Sequence, residues 1–324
     1  MAFRVSIVGA GVMGLSIAHE LALRGGYEVT VVAEQDALAS VSSVAAAVWF
    51  PYQSGEFPSL MRLLRRARTR FEELAEADPG AGVDVREGTV VERAAGADRW
   101  WVEAIPKSRE ASAEELPPGA VAGVRSVVPV ISTSQYMAWL RRKVEGLGVS
   151  FVQGTVTSID KLADQSEADA VVVAAGLGSG ALLGDDSMFP IRGQIVRLAN
   201  PGLTDWIVDD DFPSGMTYVV PRRADIVCGG IAEVGSWDAE ISPETEKAIL
   251  ERVTALMPEL AGLPVVSRAA GLRPARPAIS LEHVEGYAVP VVTCYGHGGS
   301  GVSLSWGCAE AAAELVAEVA EAVA

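Results

Sequence analysis

Two glycine-rich runs and one proline-flanked arginine pair carry the residues that could do chemistry. Gly9-Ala10-Gly11-Val12-Met13-Gly14 stands near the N-terminus and Tyr295-Gly296-His297-Gly298-Gly299-Ser300-Gly301 near the C-terminus. In the first run, Gly9 permits a tight turn after a strand, Gly11 admits a pyrophosphate to the backbone, and Gly14 lets helix and sheet pack closely. The amides that open the helix, at Val12 and Met13, then face the anion with the helix dipole behind them. Glu34 follows Gly14 by 20 residues, at the end of the next strand, where its carboxylate can accept bonds from ribose hydroxyls. This constellation alone serves any dinucleotide. The second run offers another stretch of bare backbone from the opposite end of the chain. Contact with a planar ring accounts for Tyr295 and Trp306 beside it better than a merely flexible loop does. Two chain ends closing on one large cofactor favour flavin over nicotinamide.

The arginine pair lies in Gly271-Leu272-Arg273-Pro274-Ala275-Arg276-Pro277. Prolines fix the backbone around both side chains, and an arginine on a stiff base suits bidentate capture of a carboxylate. An arbitrary arginine more often sits in a structural ion pair. The apolar run Ala269-Ala270-Gly271-Leu272 shifts that balance, because an arginine there needs an anionic partner.

The positioning elements follow from hydrophobic patterning. Phe3 to Val8 reads as a strand, Val12 to Arg24 as a helix stopped by Gly25-Gly26, and Glu28 to Ala33 as a second strand. This is one parallel unit with its crossover helix. Leu60, Leu63, Leu64, Ala67, Phe71 and Leu74 recur at helical spacing, which predicts an amphipathic helix on the outside of a second domain. Residues 83–130 alternate short β-like runs with turns. Tyr136 to Leu147 predicts a helix, Phe151 to Val156 a strand, and Ala170 to Gly176 a buried parallel strand. Phe189 to Leu198 and Thr217 to Gly229 return to β character. Helices are expected over Pro243 to Met257 and Gly307 to Ala322. Dinucleotide-type elements thus recur at both ends and in the middle, with β-rich insertions between them.

The 324 residues are 49% apolar, enough for a proper core, and no apolar run reaches a membrane-spanning length. The N-terminal residues lack the pattern of a secretory signal, and a soluble cytoplasmic protein is expected. A net charge of −16, from 26 basic and 42 acidic residues, repels phosphate backbones and argues against nucleic acid. Asp209-Asp210-Asp211 and Glu114-Glu115 read as solvated surface. The three cysteines, Cys228, Cys294 and Cys308, show no metal-ligand spacing and lie in contexts typical of buried thiols. No metal is expected. His19, His283 and His297 read as structural.

At these residues the chain resembles, from end to end, the D-amino-acid oxidase family of FAD-dependent enzymes. Gly9 to Ser16 is similar to the family's opening motif, and Ser42 to Tyr52 to its flavin-contacting segment. Arg192-Gly193-Gln194-Ile195, Tyr218-Val219-Val220-Pro221, Gly271 to Pro277 and Tyr295 to Ala309 complete the set. The resemblance implies an α/β fold: a Rossmann-like FAD-binding domain (1–50, 132–190 and 274–324) interleaved with an α+β substrate domain (51–131 and 191–273) on a large antiparallel or mixed sheet. It implies that Arg273 pairs with a substrate carboxylate, Tyr218 donates to the same group, and the Gly299 carbonyl orients the amine. Val48 and Val220 would shape the apolar pocket. Glu34, Ser42, Ser43, Ala46, Val156 and the backbone of Gly299, Gly301, Val302 and Ser303 would hold non-covalent FAD. The implied activity is oxidation of neutral D-amino acids by O2 to 2-oxo acids, ammonia and hydrogen peroxide, in a homodimer. Glycine or N-methyl amino-acid oxidation and D-aspartate oxidation are the alternatives within the family. A nicotinamide dehydrogenase and a flavin-binding protein without turnover are those outside it.

The chain departs from the family pattern in places. Thr293-Cys294 replace a histidine-containing pair, Phe50 stands where a glutamine is usual, and Asp209 to Thr217 lacks a second tyrosine. That acidic loop argues against acidic substrates unless Arg222 or Arg223 turns inward.

Overall fold

The computed structural model describes residues 2–50 and 59–323. Pro51 and Tyr52, the end of the flavin-contacting segment in the sequence reading, lie outside the described residues. In chain order the elements begin with β1 (Phe3–Val8), α1 (Val12–Arg24), β2 (Tyr27–Ala33), α2 (Leu60–Ala77) and β3 (Val83–Glu92). Next come β4 (Ser108–Glu110), β5 (Ala122–Ile131), α3 (Thr133–Gly146), β6 (Ser150–Gln153), α4 (Ile159–Ser166) and β7 (Ala170–Val173). After α5 (Gly178–Leu183) follow β8 (Phe189–Ala199), β9 (Trp206–Asp209), β10 (Thr217–Pro221), β11 (Asp225–Gly229) and β12 (Glu233–Val234). The chain closes with α6 (Pro243–Leu256), β13 (Val265–Val284), β14 (Val291–His297) and α7 (Gly301–Val323). No helix among the described residues is long and apolar enough to cross a membrane.

The strands form one mixed sheet in the order β4-β5-β3-β9-β10-β11-β8-β13-β14-β7-β1-β2-β6, with β12 beside β8. From β14 to β6 all neighbours run parallel. The opposite side is antiparallel except at β3–β9. The fold class is therefore α/β with a large mixed sheet. β7 shows why its sequence is apolar throughout. Val172 joins the main core, while Val171 and Val173 face a second core with Ile159 and Leu162 of α4. A strand covered on both faces has no polar side.

Two elements differ from the sequence reading, and a third was left unassigned by it. The amphipathic helix α2 does not lie outside a second unit; it packs on α7. A Cβ on Gly307 would sit 2.2 Å from the Leu63 carbonyl oxygen, so the two helices approach backbone to backbone. Arg66 pairs with Glu310 at 2.7 Å, and the Arg70 guanidinium lies 5.2 Å above the Trp306 ring. Secondly, α7 begins at Gly301, six residues ahead of the expected Gly307, so its first turn belongs to the glycine cluster. Thirdly, the arginine segment is a strand. β13 pairs with β8 through Ala275 and with β14 from Ala275 onward. Prolines argue against a central strand. Here Pro274 stands opposite Pro190, which confines the missing N–H groups to one point of the ladder, where β13 passes from one partner to the other.

Candidate active site

Where the parallel and antiparallel halves meet, the sheet carries a cavity of about 860 Å³. Gly9 follows β1 with φ of 112°, and a Cβ there would lie 2.4 Å from the Ala174 carbonyl oxygen. Only glycine fits. Gly11, Val12 and Met13 line the cavity beside it, and the Val12 amide donates to Ser42 Oγ at 3.1 Å. Glu34, Ala46, Val48 and Val156 are on the wall as well, Val156 from the loop after β6. Gly14 and Ser43, both expected at the cofactor, are not wall residues. A Cβ on Gly14 would meet the Gly9 carbonyl at 1.9 Å, so this glycine serves helix packing. Ser43 Oγ turns back to the Leu38 and Ser40 carbonyls and braces its own turn.

The second glycine cluster is split between elements. Gly296 and His297 end β14, Gly298–Ser300 make one 3-10 turn, and Gly301 starts α7. Gly299, Gly301, Val302 and Ser303 reach the cavity. The positive ends of α1 and α7 therefore open on one space, a fit for a ligand with anionic and electron-accepting parts. Trp49 ties the opposite wall to this turn by donating from Nε1 to the Ser303 carbonyl at 2.9 Å. Bare backbone, apolar walls and two helix N-termini fit a flavin dinucleotide, and the volume lies in the ordinary range for cofactor sites.

At the antiparallel end stand Tyr218 on β10 and Arg273 on β13. A Cβ on Gly193 of β8 would lie 2.4 Å from Arg273 Nη2, so the guanidinium rests across a glycine. Arg273 Nη1 donates to the Ile231 carbonyl at 3.1 Å; among the described residues no carboxylate pairs with it. Arg276 is different. It pairs with Asp185 at 2.8 Å, and Asp185 also accepts from the Tyr295 hydroxyl at 2.8 Å. Burial pushes the Asp185 carboxyl up, but bonds from Ser187, Tyr295 and Arg276 outweigh it and hold the group well below the usual carboxylate range. Arg276 is thus a structural ion pair and Arg273 is free to take an anion. The Tyr218 ring lies over Gly229 and Gly230, where added Cβ atoms would come within 2.2 and 2.6 Å of it. Burial raises its hydroxyl above the ordinary phenol range, against the pull of the Arg273 guanidinium beside it. Val220, expected at the pocket, is fully buried in the core instead.

Several residues here escaped the sequence reading. Gly193 stands in the Arg192-Gly193-Gln194-Ile195 motif, but its role as the seat of Arg273 was not read, and Gly229 and Gly230, which seat Tyr218, carry no local pattern. Asp209 is not solvated surface: it is fully buried and takes two bonds from Arg93, at 2.6 and 2.9 Å. Asp210 reaches the cavity wall, as does Met216. Asp210 lies in the exposed turn after β9, just past Asp209, so the alternation of that strand does not reach it. Arg222 and Arg223 do not turn inward. They pair with Asp225 at 2.6 Å and with Asp84 at 2.9 Å. Cys294, His297 and Cys308 place their donor atoms within 4.8 Å of one another, all buried, although 14 residues separate the two thiols in sequence. All three cysteines are free.

Residues 4–315 match the family model described as FAD dependent oxidoreductase. A D-amino-acid oxidase from Rubrobacter xylanophilus is 46% identical, covering 96% of this chain and 95% of the relative. The chain belongs to the D-amino-acid oxidase family. A second relative, a D-amino-acid oxidase from Streptomyces coelicolor, is 38% identical over 96% of both chains. Membership makes the protein an FAD-dependent oxidoreductase, in keeping with the cavity's two helix N-termini and glycine turns. The fold agrees: glycine oxidase from Bacillus cereus superposes with a TM-score of 0.78 at 21% identity, covering 98% of this chain and 95% of that one. Within the family frame, the departures noted in the sequence are real features of the site. Phe50 packs edge-on against Trp101 with ring centroids 4.9 Å apart, and Cys294 lies beneath the glycine turn.

Proposed function

We propose that this protein oxidises neutral D-amino acids to 2-oxo acids, consuming O2 and water and releasing ammonia and hydrogen peroxide. The observation that carries the reading is an arginine, Arg273, with no carboxylate partner among the described residues, beside Tyr218 at one end of a cavity whose other walls are a dinucleotide cradle. FAD would be held by Gly9, Gly11, Val12 and Met13 at the pyrophosphate, Glu34 at the ribose, and Ser42, Ala46, Val48, Val156, Gly299, Gly301, Val302 and Ser303 elsewhere. Bound there, FAD would supply a hydride acceptor for the substrate Cα and a route for the electrons to O2. Gly14 and Ser43 support this cradle through packing and turn geometry.

The chain's own residues do the rest. Arg273 pairs with the substrate carboxylate, and Tyr218, kept neutral by burial, donates its hydroxyl proton to the same group. The Gly299 carbonyl accepts from the amine and fixes which face of Cα is presented. Apolar wall residues such as Val48 and Ile195 exclude water from the reacting carbon. Among the described residues acidic side chains find no second cation on the wall, because Arg222 and Arg223 are committed to Asp225 and Asp84. Segments 1–50, 132–190 and 274–324 are assigned to the cofactor, and 51–131 and 191–273 to the substrate. The homodimer implied by the resemblance is checked by light scattering.

Peroxide release from the FAD-loaded enzyme over D- and L-amino acids, glycine, sarcosine and D-aspartate tests the reading. Turnover of D-alanine and other neutral D-amino acids is the expected result. Peroxide from L-amino acids alone, from glycine alone, or from none of the panel overturns it.

A further inference from the structure

Three buried donor side chains that the oxidation of an amino acid leaves unused meet behind the second glycine turn. Cys294 and His297 lie on β14 and Cys308 on α7. Among the described residues they make the one group of three histidine, cysteine or carboxylate side chains close enough to share a metal ion, with donor atoms all within 4.8 Å of one another. Both thiols are fully buried, and His297 is nearly so. Cys294 Sγ lies 4.0 Å from His297 Nε2 and 3.9 Å from the thioether sulfur of Met13, near the start of α1. Donors from three elements thus crowd around Cys294. Met13, Cys294 and His297 also line the cofactor cavity, whereas Cys308 stands behind its wall. The surroundings are apolar, for Met13, Cys294 and Cys308 belong to the main core. The donor set is soft: two thiols, one imidazole and one thioether, with no carboxylate among them.

We propose that Cys294, His297 and Cys308, with Met13 beside them, form a binding site for a soft monovalent cation, copper(I), behind the cofactor cavity. Ligand type selects the metal. Thiolate and thioether sulfur suit Cu(I), whereas magnesium, calcium and manganese call for oxygen. Zinc also takes thiolate and imidazole, but its structural sites close with four such ligands. Here the fourth donor is a thioether, and Cu(I) is satisfied by three ligands in a plane. Distances agree with that geometry. Bonds of about 2.3 Å to sulfur and about 2.0 Å to nitrogen set three planar ligands about 3.7–4 Å apart. Cys294 and His297 already stand at that separation, and rotation of the Cys308 side chain completes the triangle. On binding, the two thiol protons pass to solvent and the imidazole coordinates in its neutral form. An ion held there ties β14 to α7, with α1 alongside, where both chain ends reach the cofactor. The site does not depend on which amino acid is oxidised.

The test titrates freshly reduced holoenzyme with Cu(I) under nitrogen, in competition with a chromogenic Cu(I) chelator. One tightly held Cu(I) per chain is the expected result, and X-ray absorption of the loaded enzyme should show sulfur and nitrogen neighbours with sulfur in excess. In Cys308→Ala the affinity should fall by more than about 100-fold, since loss of an outer-shell partner alone costs a metal site about 10–100-fold. Cys228→Ala is the control, because that buried thiol lies on β11 in a different core, and it should bind as the parent does. Flavin absorbance reports whether each variant is folded, and the X-ray absorption measurement needs no variant. Failure to bind Cu(I) stoichiometrically, undiminished affinity in Cys308→Ala, or an equal loss in Cys228→Ala overturns the proposal. So does a shell of oxygen neighbours, or release of the bound Cu(I) by an excess of Zn(II). Metal binding is read without turnover, so peroxide from D-alanine reports separately on the catalytic reading.

Discussion

Arg273 and Arg276 stand three residues apart on one strand and do opposite jobs, and their partners decide which. Arg276 is neutralised by Asp185; Arg273 rests across Gly193, beside Tyr218 and bonded to the Ile231 carbonyl, with no carboxylate partner among the described residues. Leaving one member of a buried charged pair uncompensated costs about 2–5 kcal/mol. Arg273→Ala should therefore raise KM about 30-fold to several thousand-fold, while the variant keeps its flavin absorbance. A near-normal KM in steady-state peroxide kinetics would sink the clamp. For Asp185 the sign follows from its depressed carboxyl. Its stabilising effect is complete above the unfolded value near 4 and fades as pH falls from there toward the folded value. Asp185→Asn should lower stability by about 1.5–3 kcal/mol in urea melts at pH 7. The gap between variant and parent should narrow in melts run below about pH 4.

Elements show where the sequence was legible. The Gly9 turn, α1 and β2 could be read directly because their signals are local: a positive φ, a 3.6-residue period, an apolar run. β13 was not legible, since Pro274 is forbidden in a central strand unless its neighbour also lacks a donor, and Pro190 is 84 residues away. The position of α2 was hidden for a similar reason. Its apolar stripe announced a buried face but not the partner, which Gly307 selects by letting two backbones touch. Alanine is the better helix former by about 1 kcal/mol. A Cβ 2.2 Å from a backbone oxygen cannot be relieved by a rotamer change, so the packing term wins. Gly307→Ala should lower the thermal midpoint by several degrees, in line with an overpacking cost of about 1–3 kcal/mol. An unchanged midpoint in calorimetry would mean that α2 and α7 separate freely.

For the molecule as a whole, the cavity is the place where residues from both chain ends and the middle converge, so its ligand should act as a staple. A ligand present at 100 times its dissociation constant adds about 2.7 kcal/mol to folding stability. Adding FAD to the apoprotein should raise the thermal midpoint by several degrees, whereas NAD should not. A matching shift with NAD would reopen the nicotinamide reading. Asp210 was illegible at this same scale, because a run of three acids says nothing until the fold turns one toward Arg93 and sets the next on the cavity wall. The convergence also sets an order in time. The C-terminal helix supplies the last turn of the cradle and the surface on which α1 and α2 rest. A nascent chain still attached to the ribosome by that helix holds a Gly9 turn without its counterpart. Capture of the flavin must therefore await the emergence of α7, and ribosome-stalled chains ending before Gly296 should emerge colourless.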